Sequence, residues 1–159
     1  MNIWFIGAIN KNLTKERDCM KKRMLYLILP IVTLILEILP YGAVCNFMLP
    51  STTEGVPAGR FRELYSYFDL TPFGYANFAP LITAIITCIV FLLLVIYCFT
   101  GKEQVARIAK TIVFVCAVVS FGPLVLGPHF LSVVGVIISL SLIGEYLLLR
   151  RFTKASKGV

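Results

Sequence analysis

The chain has 159 residues, room for one domain, with 58% hydrophobic and only 14% charged residues where a soluble domain carries about 25% charged. The net charge is +7, but the basic residues cluster at the ends of long apolar blocks, where they set topology and contact anionic lipid. No basic surface is left over for nucleic acid, and the apolar excess excludes an ordinary soluble domain.

Residues 1–23 form a basic segment with Lys11, Lys15, Arg17, Lys21, Lys22 and Arg23. The run Met20-Lys21-Lys22-Arg23 before an apolar block reads as a translation start, with residues 1–19 dispensable. It also has the order of a signal peptide. Tyr41-Gly42-Ala43 is a poor cleavage site, however, and Val44 before Cys45 a poor lipobox, so the first helix is expected to be retained.

Crossing a bilayer takes about 20 mainly apolar residues. The first block that qualifies is 24–44, MLYLILPIVTLILEILPYGAV, broken by Pro30, Glu37 and Pro40. An external segment, 45–77, follows. Within it RFRELYSYFDL (Arg60 to Leu70) sets Phe61, Leu64, Tyr65 and Phe68 at helical spacing, with Arg62, Glu63, Ser66 and Asp69 opposite. This predicts a short amphipathic helix lying in the outer interface. Thr71-Pro72-Phe73-Gly74 reads as a turn, and Asn77 is placed to cap the next helix, with Pro80 in its first turn.

The second membrane helix is predicted over 78–99, without a charge. Thr100-Gly101-Lys102 makes a short link, with Gly101 suited to a left-handed cap. The third helix is predicted over 108–126. Gly122-Pro123 and Gly127-Pro128 then force a tight external turn, and the fourth helix runs over 130–149 with Glu145 as its one charge. Residues 150–159 are a basic tail. Every Lys and Arg except Arg60 and Arg62 falls on one side of this scheme, which puts both termini in the cytoplasm.

The stretches LPYGAVCNF and ELYSYFDLTPFGYANFAPLITAIIT resemble a group of small four-helix membrane proteins of Gram-positive bacteria. The resemblance covers residues 39–87. It implies a bacterial plasma membrane and supplies no catalytic residue.

Two acidic residues fall inside apolar blocks, where a carboxylate marks a functional site by default. Glu37 can face the bundle interior as a proton or cation site, or reach the outer interface and pair with Arg60 or Arg62. Pro40 so close behind it favours the interfacial reading. Glu145, one turn before Arg150, is expected to pair with Arg107, Lys110 or Arg151. His129, the only histidine, stands in the external turn without a Cys, His or Asp cluster around it, so no metal site is expected. Cys45, Cys88, Cys98 and Cys116 read as small buried hydrophobes, as does Cys19 of the basic segment. Ala79, Thr83 and Thr87 form one small-residue stripe, and Ser132, Gly135 and Ser139 another; such stripes let membrane helices pack closely. P-loop, nucleophile-elbow, HExxH and dinucleotide motifs are missing from the sequence.

The expectation is an all-α, polytopic membrane protein. Its four transmembrane helices form an up-down-up-down bundle with a short external interfacial helix. It is expected to act as a non-enzymatic structural or accessory subunit without a cofactor, in contact with the lipid bilayer and with a second copy or another membrane protein. The alternative is a small transporter or channel component that uses Glu37.

Overall fold

The computed structural model describes residues 23–48, 60–70 and 77–155. A 3₁₀ turn, Leu25–Leu27, runs into helix α1, Ile28–Ile38. Strands β1 (Ala43–Met48) and β2 (Arg60–Tyr65) form an antiparallel hairpin. Then come α2 (Ala79–Thr100), α3 (Glu103–Ser120), a short α4 (Gly122–Leu126), a 3₁₀ turn at Pro128–Phe130 and α5 (Val133–Ala155). The predicted start at Met20, Cys19 and the Thr71–Gly74 turn lie outside the described residues.

Three helical stretches are long and apolar enough to cross a membrane: Ala79–Thr100, Glu103–Leu126 and Val133–Arg151. The apolar stretch Leu25–Ile38 is shorter, about 21 Å at 1.5 Å per residue. It stops well before residue 44, the end expected from hydrophobicity. The cause is local: Leu39 precedes Pro40 and is extended, at φ −64° and ψ 136°, because a proline disfavours the helical conformation of the residue before it. The freed residues 43–48 become β1.

The helices form a ring. α1 packs between α2 and α5, and α3 packs between the same two from the other side. Short links account for the order. Gly101 takes a left-handed φ of 64° and its N–H closes on Tyr97 O at 2.8 Å, turning α2 directly into α3. At the other end the chain breaks at Phe121 and steps through α4 before Gly127, at φ 124°. The interior holds two apolar clusters. The one on the hairpin side, here called outer, includes Ala43, Tyr67, Ala84, Ala117, Ile138 and Leu142; the one on the Arg23 side, called inner, is Val90, Leu94, Ala109, Val113 and Leu149. Arg23 closes the inner end, with its guanidinium 5.6 Å from the centre of the Tyr97 ring.

The expected amphipathic helix over 60–70 is not formed. Residues 60–65 instead pair with β1, Val44 facing Leu64 and Cys45 facing Glu63. An isolated helix of that length is marginal in water, whereas the hairpin satisfies the backbone of both segments at once. The expected apolar face dissolves accordingly: Leu64 and Phe68 are exposed and Tyr65 half-buried, while the side chain of Phe61 lies outside the described part. Asn77 does not cap α2 either. The cap position is Phe78, and the buried Asn77 Oδ1 has no hydrogen-bond partner among the described residues.

Candidate interior carboxyl site

The site begins with the early end of α1. Glu37 falls in the last turn, on the face that also buries Pro30 and Thr33, and is fully buried. Its carbonyl, left without a helical partner by that termination, accepts the Tyr67 N–H at 3.0 Å and the Ser66 hydroxyl at 2.9 Å. Ser66 in turn receives the Phe68 N–H and donates its own N–H to Asp69 Oδ2. The segment after β2 is thus stapled to the helix end, and Tyr67 is driven into the mouth of the ring.

The side chain of Glu37 points inward. Oε1 lies 2.8 Å from the Thr87 hydroxyl of α2, which also lies 3.0 Å from Thr83 O and 3.6 Å from Cys116 Sγ of α3. Oε2 has no hydrogen-bond partner among the described residues. Glu145 of α5 is only 2% exposed, and neither of its oxygens has a hydrogen-bond partner among the described residues. It lies within electrostatic reach of Glu37, and the Cys116 thiol within reach of both.

The expected ion pairs are therefore not made where they can be followed. Arg62 is exposed and donates to Leu131 O at 3.0 Å; the side chain of Arg60 lies outside the described part. Arg107 and Arg151 are exposed and Lys110 half-buried, away from the Glu145 oxygens. The physical reason is helical phase: residues 30, 33 and 37 share the face of α1 turned to the ring, so Glu37 cannot turn outward without exposing that face.

Above the carboxyls a cavity of about 170 Å³ opens towards the hairpin end. Ser120, Ser132, Ser139 and Tyr67 contribute its polar lining. Ser132 is the N-cap of α5: its oxygen accepts the Gly135 N–H at 2.8 Å while its hydroxyl donates to Gly42 O. Ser120 donates to Ser139 at 3.0 Å. Burial first, then the nearby Glu37 and Cys116, push the Tyr67 phenol well above the usual tyrosine range. On the hairpin, burial and then Glu63 push the Cys45 thiol up.

The small-residue stripes do pack. Gly135 lies so close to Gly42 that an added Cβ would be 2.9 Å from its carbonyl, and one on Gly122 would be 2.6 Å from the Ala79 methyl. Cys45, Cys88, Cys98 and Cys116 are free thiols. His129 is exposed in the 3₁₀ turn Pro128–Phe130. Thr87, Cys116, Tyr67 and Ser132 had no separate signal in the sequence beyond small polar residues recurring at helical spacing.

No protein-family model matches this chain, and neither a curated protein nor a solved structure matches it.

Proposed function

We propose that this is a small membrane protein of four spans whose buried carboxyl pair, Glu37 and Glu145, binds a small cation or a proton within a transporter or channel component. The observation that carries the reading is the burial of two carboxyls with no basic side chain bonded to either among the described residues. A charged carboxylate in an apolar interior costs several kcal/mol unless something compensates it, and such groups inside membrane helices mark ion or proton paths.

The bilayer supports this reading because the ring is apolar outwards. On α2, Ile82, Ile85, Ile89, Leu92 and Ile96 are exposed while Thr83 and Thr87 are buried, the reverse of a helix in water. α1 is short, but it is a member of the ring, and the basic flank before it can reach the lipid headgroups. The basic residues at the ends of the other helices favour both termini in the cytoplasm, in a plasma membrane that the resemblance makes bacterial. A reporter fused after Leu149 should then be cytoplasmic and one inserted near Thr53 external; an external C-terminal reporter would overturn the topology.

The functional test is flux into proteoliposomes under an imposed pH or K⁺ gradient. The wild-type chain should dissipate the gradient, and Glu37→Gln or Glu145→Gln should abolish that. A second reading is an accessory, non-enzymatic subunit bound to a second copy or another membrane protein. The closure of the ring around the carboxyls, with Glu37 fully buried, favours it. Equal, background flux in all three chains, with a stable partner recovered by native purification and mass spectrometry, would establish that reading instead.

A further inference from the structure

We infer that the ligand of the interior carboxyl pair is a proton, and that Glu37 holds it by donating to the Thr87 hydroxyl. The inference rests on the reading of Glu37 and Glu145 as an ion site and narrows it to one ion.

Hydrogen-bond accounting comes first. The Thr87 hydroxyl has a single proton and two oxygen neighbours, Glu37 Oε1 at 2.8 Å and Thr83 O at 3.0 Å. Thr83 O is a carbonyl and can only accept. If Glu37 is a neutral acid, its O–H donates to Thr87 Oγ1, and Thr87 donates onward to Thr83 O. Both short contacts are then true hydrogen bonds. If Glu37 is ionised, Thr87 must serve two acceptors with one proton, and the second carboxylate oxygen remains buried without a donor among the described residues.

A metal cation meets the opposite problem, a shortage of oxygens. Membrane proteins that hold Na⁺ draw on the carbonyls of unwound helices and of helix C-terminal ends. Here the helices around the pair are not unwound, and several of their carbonyls already accept a side-chain donor. Leu29 O takes Thr33, Ala79 O takes Thr83, Thr83 O takes Thr87 and Cys116, and Gly135 O takes Ser139. Even the free C-terminal carbonyl of α1, that of Glu37, is taken by Ser66 and Tyr67. Cys116, whose sulfur lies 3.6 Å from the Thr87 hydroxyl, is a soft ligand and a poor one for an alkali ion.

The titratable groups that face Glu37 come from each packed element: Cys88 on α2, Cys116 on α3, Glu145 on α5 and Tyr67 beyond β2. None carries a positive charge. Two buried carboxyls within reach of each other, with no basic side chain bonded to either among the described residues, cannot ionise together without strong repulsion, so at least one of them keeps its proton.

The test is infrared spectroscopy of the full chain in lipid vesicles, following the C=O stretch of neutral carboxylic acid. At pH 7 a neutral-acid band is expected, unchanged when NaCl replaces KCl or choline chloride. It should be lost in the Glu37→Gln/Glu145→Gln double variant, and each single variant should alter the pH at which the remaining carboxyl ionises. Thr87→Val keeps both carboxyls and should move the band in frequency without abolishing it, which separates a broken hydrogen bond from a misfolded chain. A carboxylate signal at pH 7 that responds to Na⁺ or K⁺ would overturn the proton assignment and leave the ion site standing. A carboxylate signal indifferent to every cation would overturn both.

Discussion

The outer and inner halves of the ring are built from the same helices with opposite chemistry. Inwards of Glu145 the interior is Val90, Leu94, Ala109, Val113 and Leu149, a plain apolar fill. Outwards it is Thr83, Thr87, Ser120, Ser132 and Ser139, with Tyr67 plugged in from the hairpin and a cavity of about 170 Å³ lined in part by Tyr67 and the three serines. Each of those threonine and serine hydroxyls bonds to a nearby carbonyl, hydroxyl or carboxyl oxygen, so they cost little to bury. The carboxyls are the exception, and they lie where the two halves meet. Stability should therefore reside in the inner half and function in the outer, with the boundary set by Glu37 and Glu145.

The largest effect expected from that division is on the inner side. Leu94→Ala opens a void among fully buried neighbours and should cost about 2 kcal/mol. That is the low end of the range for Leu→Ala, because lipid rather than water surrounds the helices before they associate. A thermal melt in detergent or lipid should show it as a clear fall in midpoint, with the interior carboxyl signals retained.

Next comes the seam between helix and hairpin. Gly135→Ala sets a methyl 2.9 Å from Gly42 O and 3.2 Å from the Tyr67 hydroxyl. One of them must give way, at about 1 kcal/mol, the low end for overpacking. Because the strain falls on the hairpin plug, hydrogen exchange should rise at residues 42–48 and 60–67 while the amides of α3 stay protected. Uniform loosening of the whole ring would show that the two halves are one cooperative unit.

A smaller change of opposite sign is expected at the boundary itself. Glu145→Leu removes two buried oxygens that have no hydrogen-bond partner among the described residues, and an apolar residue of similar volume is often neutral or stabilising in place of a buried ionisable group. The melting midpoint should hold or rise, by about 1 kcal/mol of stability, while ion flux is lost. A stability loss as large as that of Leu94→Ala would mean that Glu145 has a structural partner.

How much of this was legible in the sequence depends on whether the signal was local. The three long helices were, because a run of apolar residues reports its own environment; their bounds moved by a few residues, and Gly101 ended α2 as its conformational freedom required. The hairpin was not legible. Phe61, Leu64, Tyr65 and Phe68 carry a helical period, but β2 exists only because Ala43–Met48 is available to pair with it, a contact that no local pattern encodes. The end of α1 was half legible: Pro40 announced it, and the same fact was read as sending Glu37 outward. Facing is decided by phase, not by distance from the helix end, and Thr33 and Glu37 lie four residues apart on one face. That Thr87 would meet Glu37 depends on how α1 and α2 dock, which lay beyond periodicity.

The smallest expected effect tests the hairpin. Tyr65 donates its phenol hydrogen to Glu63 Oε2. That hydrogen bond, helped by lesser burial and by the Glu63 charge, pushes its pKa up to about 12. The unfolded chain titrates tyrosine near about 10, so the folded state holds the proton more tightly. The sign follows: the contribution to stability is fully present below pH 10 and is lost as the pH climbs through about 12. In the wild type, the tyrosinate absorbance contributed by Tyr65, isolated by subtracting the titration of Tyr65→Phe, should rise late. In Glu63→Ala it should return towards the ordinary tyrosine range, since both the acceptor and the charge are gone. The exposed position makes the energetic consequence slight, and neither the melting midpoint at neutral pH nor ion flux should change. If Tyr65 titrates identically in both chains, the Tyr65–Glu63 contact within β2 is not formed in solution.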